Sequence, residues 1–163
     1  MTESKKQQDE NTTKPDRALG RLDRLVGRWI MQGRSLGSEE DNITGTTRFK
    51  WLHGNKGTSF FLQQDMEMEY AGTKIKSREI IGYDPNRKAY FAPFFDNQGS
   101  AGWEQINLDG NTWIWNGENV MGVKYHRCKA VFKNEKTITA LHEYSDDNQQ
   151  WHKWIDITLS KSE

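Results

Sequence analysis

"IIGYDPNRKAYFAPFFDNQG", residues 80–99, reads as strand, turn, strand, turn. Asp84 and Pro85 make the first turn: proline presets φ, and the aspartate can bond back to its own backbone. Asp96 to Gly99 makes the second. Between the turns lie Tyr90, Phe91, Phe94 and Phe95, with Tyr83 just ahead. Side chains alternate along a strand, so Tyr90, Ala92 and Phe94 share one face and Phe91, Pro93 and Phe95 the other. One set lines an interior; the other packs outside, under a helix or at a subunit contact. Pro93 has no ladder donor, which marks an edge, a bulge or a gap in the sheet at that point.

The same punctuation recurs on both sides. Alternating or aromatic-rich runs over 28–36, 44–53, 58–70, 73–83, 88–95, 99–107, 111–117, 120–133, 136–145 and 150–159 predict ten strands. Their connections ("HGNKG", "YAGT", "LDGN", "GEN", "KNEK", "SDDNQ") carry turn residues. Ten short strands in meander order predict an all-β fold, a closed antiparallel β-barrel, because closure removes the exposed edges a long meander would present. Ahead of them "RALGRLDRLVG" places Ala18, Leu22, Leu25 and Val26 at helical spacing, with Pro15 and Asp16 suited to start a helix and Gly27 to end it. Residues 1–15 are polar with no apolar period and are expected to form a disordered tail, leaving 16–160 as the barrel domain.

In "TSFFLQQDMEMEY" (58–70), Phe60, Leu62, Met66, Met68 and Tyr70 share a face with Gln64, while Phe61, Gln63, Asp65, Glu67 and Glu69 take the other. Methionines and an amide on an inward face fit a cavity wall or a plain core with one satisfied polar group. At 163 residues the chain can bury a core; hydrophobic residues are only 34% of it, but seven Trp, seven Phe and five Tyr supply large buried areas. Lys plus Arg and Asp plus Glu both number 23, so nothing in the totals suggests nucleic acid, which needs a basic face. Cys128 is alone, no run is long and apolar enough to span a bilayer, and the N-terminus lacks an apolar signal stretch. A cytoplasmic protein with no membrane partner is expected.

"LDRLVGRWIMQGRS" resembles the first-strand signature of the calycins, the lipocalin and fatty-acid-binding-protein-like barrels, in which a Gly-x-Trp follows a short helix and the Trp plugs the barrel end. Gly27, Arg28 and Trp29 match it. "FKWLHGNKGTSFFLQQDMEM", the Gly82–Pro85 block with Asp96 and Gly99 after it, and "EYSDDNQQWHKW" resemble a mostly bacterial family of small calycin-like proteins without an assigned function, over about residues 19–159. The resemblance implies a closed barrel of eight to ten strands with an internal ligand site. It implies no particular ligand.

Four His are present: 53, 126, 142 and 152. His126 and Cys128 share a strand face, but no spaced Cys/His set completes a zinc site, and no third group orients the pair for nucleophilic catalysis. The nitrobindin branch of the calycins uses a late-strand His to ligate haem, for which His142 or His152 would serve; the Gly-rich first-strand motif of that branch is missing from "GRWIMQGRSLG". No cofactor, metal or catalytic residue is therefore assigned.

The aromatic signal is richer. Trp113 and Trp115 share a face, as do His142 and Tyr144, and His152 and Trp154. The expected function is non-covalent binding of a small hydrophobic or aromatic ligand in the barrel. Phe60, Met66, Tyr90, Phe94, Trp103, Trp115 and Trp154 would bury it, and Gln64, Arg78, His126 or His142 would orient its polar end. Three alternatives stay open: an enzyme using one of those polar residues as acid or base, a haem-binding barrel ligated by His142 or His152, and an interaction module or homodimer joined through Phe91, Pro93 and Phe95.

Overall fold

The computed structural model describes residues 14–54 and 57–162. Most of the expected polar tail lies outside the described residues. The strands are β1 (Gly27–Ser35), β2 (Ile43–His53), β3 (Ser59–Tyr70), β4 (Thr73–Asp84) and β5 (Ala89–Asp96), then β6 (Ala101–Asp109), β7 (Thr112–Val120), β8 (Val123–Asn134), β9 (Thr137–Ser145) and β10 (His152–Lys161). Each pairs antiparallel with its neighbours in sequence, and β1 closes on β10 from Trp29–Lys161 to Ser35–Ile155. The meander is a closed ten-stranded barrel, as the turn spacing predicts.

The helix before it differs in kind from the expectation. Arg17–Leu25 is a 3₁₀ helix, capped by the Asp16 carboxylate, which accepts from the Ala18 N–H at 2.8 Å. Its buried residues are Leu19, Leu22 and Leu25. They recur every three positions, so three residues per turn stack them in one line, whereas an α-helix would fan them out. Ala18 and Val26, assigned to the apolar stripe from α-helical spacing, are only partly buried on its flanks. The leucines cap one barrel end. There Trp29 is fully buried, and its Nε1–H donates to the Leu25 carbonyl at 2.7 Å, tying strand β1 to the helix.

Two apolar clusters pack the two ends of the barrel. One, under the helix, joins its leucines to Trp29, Phe49, Leu62, Ile81, Trp113 and others. The second, at the opposite end, is built on Met31, Ile43, Met68, Ile75, Ile155 and Ile157.

The aromatic hairpin resolves into its two faces. Tyr90, Ala92 and Phe94 are buried inside. Outside, the Phe91 and Phe61 rings close over Gly82, where a Cβ would lie 2.6 Å from Phe91 and 2.9 Å from Phe61, and Trp103 stacks on Phe91 at 5.0 Å. The β4–β5 ladder pairs Glu79 with Phe94 and Gly82 with Phe91 but skips the positions between, where Pro93 lies. The missing donor leaves the expected gap.

Candidate functional site

Between the two clusters is a cavity of about 160 Å³. Its walls are largely apolar, with Phe49, Met66, Met68, Phe94, Trp115 and Phe132 among them. Into it also project Thr47, Gln64, Ser77, Glu79, Glu104, His126, Cys128 and His142.

The barrel lattice builds the polar part in adjacent rows. Glu104 on β6 pairs with Gly117 on β7, which pairs with His126 on β8. Because Gly117 has no side chain, Glu104 crosses over it to reach His126, with Oε1 and Nδ1 3.0 Å apart. A Cβ on Gly117 would lie 2.5 Å from Glu104 Cγ. In the next row Trp115 pairs with Cys128, and Cys128 with His142. His126 Nε2 lies 2.9 Å from His142 Nδ1, and His142 Nε2 lies 3.6 Å from Cys128 Sγ. Glu104, His126, His142 and Cys128 therefore form one unbranched hydrogen-bonded chain. Separately, Trp115 donates its Nε1–H to Glu79 Oε1 at 3.1 Å.

Burial decides the charge states. It pushes the Glu104 carboxyl up to about 8. It also holds Glu79 well above the ordinary carboxyl range, and the nearby Glu104 adds to that. His126 is pushed down to about 4 by burial, and His142 to about 3 by burial and the neighbouring His126. At neutral pH Glu104, His126 and His142 are uncharged, so the close Glu104–His126 contact is a neutral hydrogen bond rather than an ion pair. With the Glu104 proton on Oε1, the donors run one way: Glu104 O–H to His126 Nδ1, His126 Nε2–H to His142 Nδ1, and His142 Nε2–H to Cys128 Sγ. Loss of the Glu104 proton reverses all three. Burial raises the Cys128 thiol far above its usual range, with Glu104 and Glu79 adding to the shift, so it is no activated nucleophile.

Six of the residues read from sequence meet at this cavity: Gln64, Met66, Phe94, Trp115, His126 and His142. Five do not. Arg78 points outward and pairs with Asp65 at 2.6 Å, because the inward parity of β4 belongs to Ile75, Ser77 and Glu79. Trp103 is 57% exposed on the outer wall, since the inward parity of β6 belongs to Glu104 and Ile106. Tyr90 is inside but below the cavity, where its Oη–H donates to the Ala18 carbonyl at 2.6 Å. Phe60 falls in the β2–β3 ladder irregularity between Phe61 and Ser59. Trp154 falls in a β10 bulge between Lys153 and Ile155 and packs edge-on to Tyr144 at the barrel rim. That bulge also breaks the expected shared face of His152 and Trp154.

Glu79 and Glu104 escaped the sequence reading. Their signal was available: Glu79 continues the alternation Ile75, Ser77, Ile81, and Glu104 precedes Ile106 by two. Haem does not fit here. His142 has both nitrogens engaged, His152 is exposed at the rim, and the cavity is smaller than the ~300–1,000 Å³ usual for drug-sized ligands. Among the described residues, no group of three or more His, Cys, Asp or Glu is arranged to hold a metal ion.

Residues 14–161 match the family described as "Protein of unknown function (DUF1579)". The chain belongs to this family. No curated protein matches it at a significant level. Among solved structures, the DUF1579 barrel described here is similar to the crystal structure of Rv2717c from M. tuberculosis: TM-score 0.62 at 9% identity, covering 92% of this chain and 100% of that one. It is also similar to the S-type phycobiliprotein lyase CPES from Guillardia theta, at TM-score 0.55 and 8% identity over 90% and 93% of the two chains. At such identities the likeness is one of fold. No helix among the described residues is long and apolar enough to cross a membrane.

Proposed function

We propose that this calycin-like barrel binds one small, compact, mostly apolar molecule in its central cavity. The observation that carries the reading is the cavity itself. The two apolar clusters share Leu159 at their margin, yet they leave room between them, walled by rings and methionines. An apolar cavity of about 150 Å³ suffices for benzene. At about 160 Å³, this one suits a body of a single ring or a short branched chain. Gln64 Nε2 donates to Thr47 Oγ1, which leaves its carbonyl oxygen to orient a polar substituent, as the carboxyls of Glu79 and Glu104 also would. Fold likeness to a phycobiliprotein lyase agrees with a barrel used to hold a small molecule.

Acid–base catalysis on a bound ligand is the second class, and the Glu104–His126–His142 chain favours it over nucleophilic chemistry. Native mass spectrometry of the protein as purified, beside a denatured sample, tests the binding reading. A released molecule of about one ring in mass supports it. A clean apo mass, with no adduct from a panel of single-ring compounds, contradicts it.

A further inference from the structure

Building on the binding reading, the lining also bears on the charge of the ligand. Among the described residues, the cavity receives two Glu side chains, an Asp (Asp96), two His and a Cys, but no Lys or Arg. Glu104 is 6% exposed, and among the described residues its hydrogen-bond partner is His126, through Oε1, which leaves its second oxygen at the cavity wall. Among the described residues, Glu79 likewise bonds through one oxygen, to Trp115. A neutral acceptor ligand would be served as well by amides, which bury at lower cost than acids. An anion would meet no positive charge. A cation would satisfy both carboxyl oxygens, and the faces of Trp115 and Phe94 would attract it as well.

We infer that the ligand is an organic cation, a protonated amine or quaternary ammonium on a compact apolar body, held with its charge at Glu79 and Glu104 and its body against Trp115 and Phe94. Binding would expel a carboxyl proton. If Glu104 loses it, the chain through His126 and His142 reverses, so that the Cys128 thiol donates to His142 Nε2.

The test is calorimetric titration of the full chain at pH 7 with benzylammonium, benzyl alcohol and benzoate, in two buffers of different ionisation heat. Benzylammonium should bind at least tenfold more tightly than benzyl alcohol, benzoate should bind most weakly, and about one proton should be released per cation bound. Glu79→Gln and Glu104→Gln should each abolish the preference for the cation and retain benzyl alcohol binding, which also reports an intact fold. Benzyl alcohol binding as tightly as the cation, or cation binding without proton release, would overturn the inference and leave the pocket standing. Failure of all three compounds to bind would overturn the pocket as well.

Discussion

Glu104 and His126 stand on strands with a third strand between them, yet their side chains meet at 3.0 Å. Two strand spacings separate their backbones, roughly 10 Å. The contact exists because the intervening position is Gly117, over whose bare backbone the Glu104 side chain lies.

Gly117→Ala should therefore act through Glu104. Its methyl would fall 2.5 Å from Glu104 Cγ, so the carboxyl must move and the His126 bond is lost. A destabilisation of about 1–3 kcal/mol is expected in denaturant unfolding. Most of that cost should disappear in a Glu104→Ala background, where the space is free. Additive costs would mean that Gly117 serves the strand rather than the carboxyl.

The buried groups predict a pH profile with a plateau. Between about pH 4.5 and 6.5 the unfolded chain keeps protons on its histidines and the folded barrel keeps one on Glu104, with Glu79 held in the same direction, so the two opposing proton differences offset each other. Above about pH 6.5 the unfolded groups are bare, while Glu104 stays protonated up to about 8 and Glu79 has its proton held in the same direction. Stability then falls as pH rises, by about 1.4 kcal/mol per pH unit for Glu104, with Glu79 acting in the same direction. Below about pH 4.5 the unfolded carboxyls are protonated too, and the uncharged folded histidines cost stability as pH drops toward about 4 and 3. Chemical denaturation from pH 4 to 9 checks this. Glu104→Gln should make the alkaline fall shallower.

Cys128 should react slowly with thiol reagents in the native state. It is buried, its thiol is held protonated, and His142 lies against it as a neutral ring. Labelling at pH 7.5 should follow barrel opening, accelerating with added denaturant. Fast labelling in native buffer would show a thiolate and reopen nucleophilic chemistry.

Trp29→Ala should cost about 3–5 kcal/mol, because it empties the space under the helix and removes the bond to the Leu25 carbonyl. Far-ultraviolet circular dichroism and thermal unfolding would read it. A loss below 1 kcal/mol would show that the helix leucines seal the barrel end without it.

The strands and turns were legible because Asp, Asn, Gly and Pro punctuate ten alternating runs, and "GRW" marks the plugged end. The helix type was not, because Ala18 and Val26 at its flanks fit an α-helical stripe as well as Leu19, Leu22 and Leu25 fit a 3₁₀ line. At the site, Gln64, Met66, Phe94, Trp115, His126 and His142 followed from parity. Phe60 and Trp154 did not, because each falls where the ladder slips by a residue, which alternation alone does not reveal. Trp103 and Arg78 went astray for another reason. Buried carboxylates are uncommon, so composition favours placing Trp103 inside and Glu104 outside, whereas the barrel does the reverse.

Four of the five methionines, Met31, Met66, Met68 and Met121, line the cavity, so methyl NMR of methionine-labelled protein reads its occupancy directly. The decisive measurement is a titration of that sample with benzylammonium at pH 7. The account predicts saturable shifts of those four methyl resonances. Four unmoved resonances at millimolar ligand would contradict it.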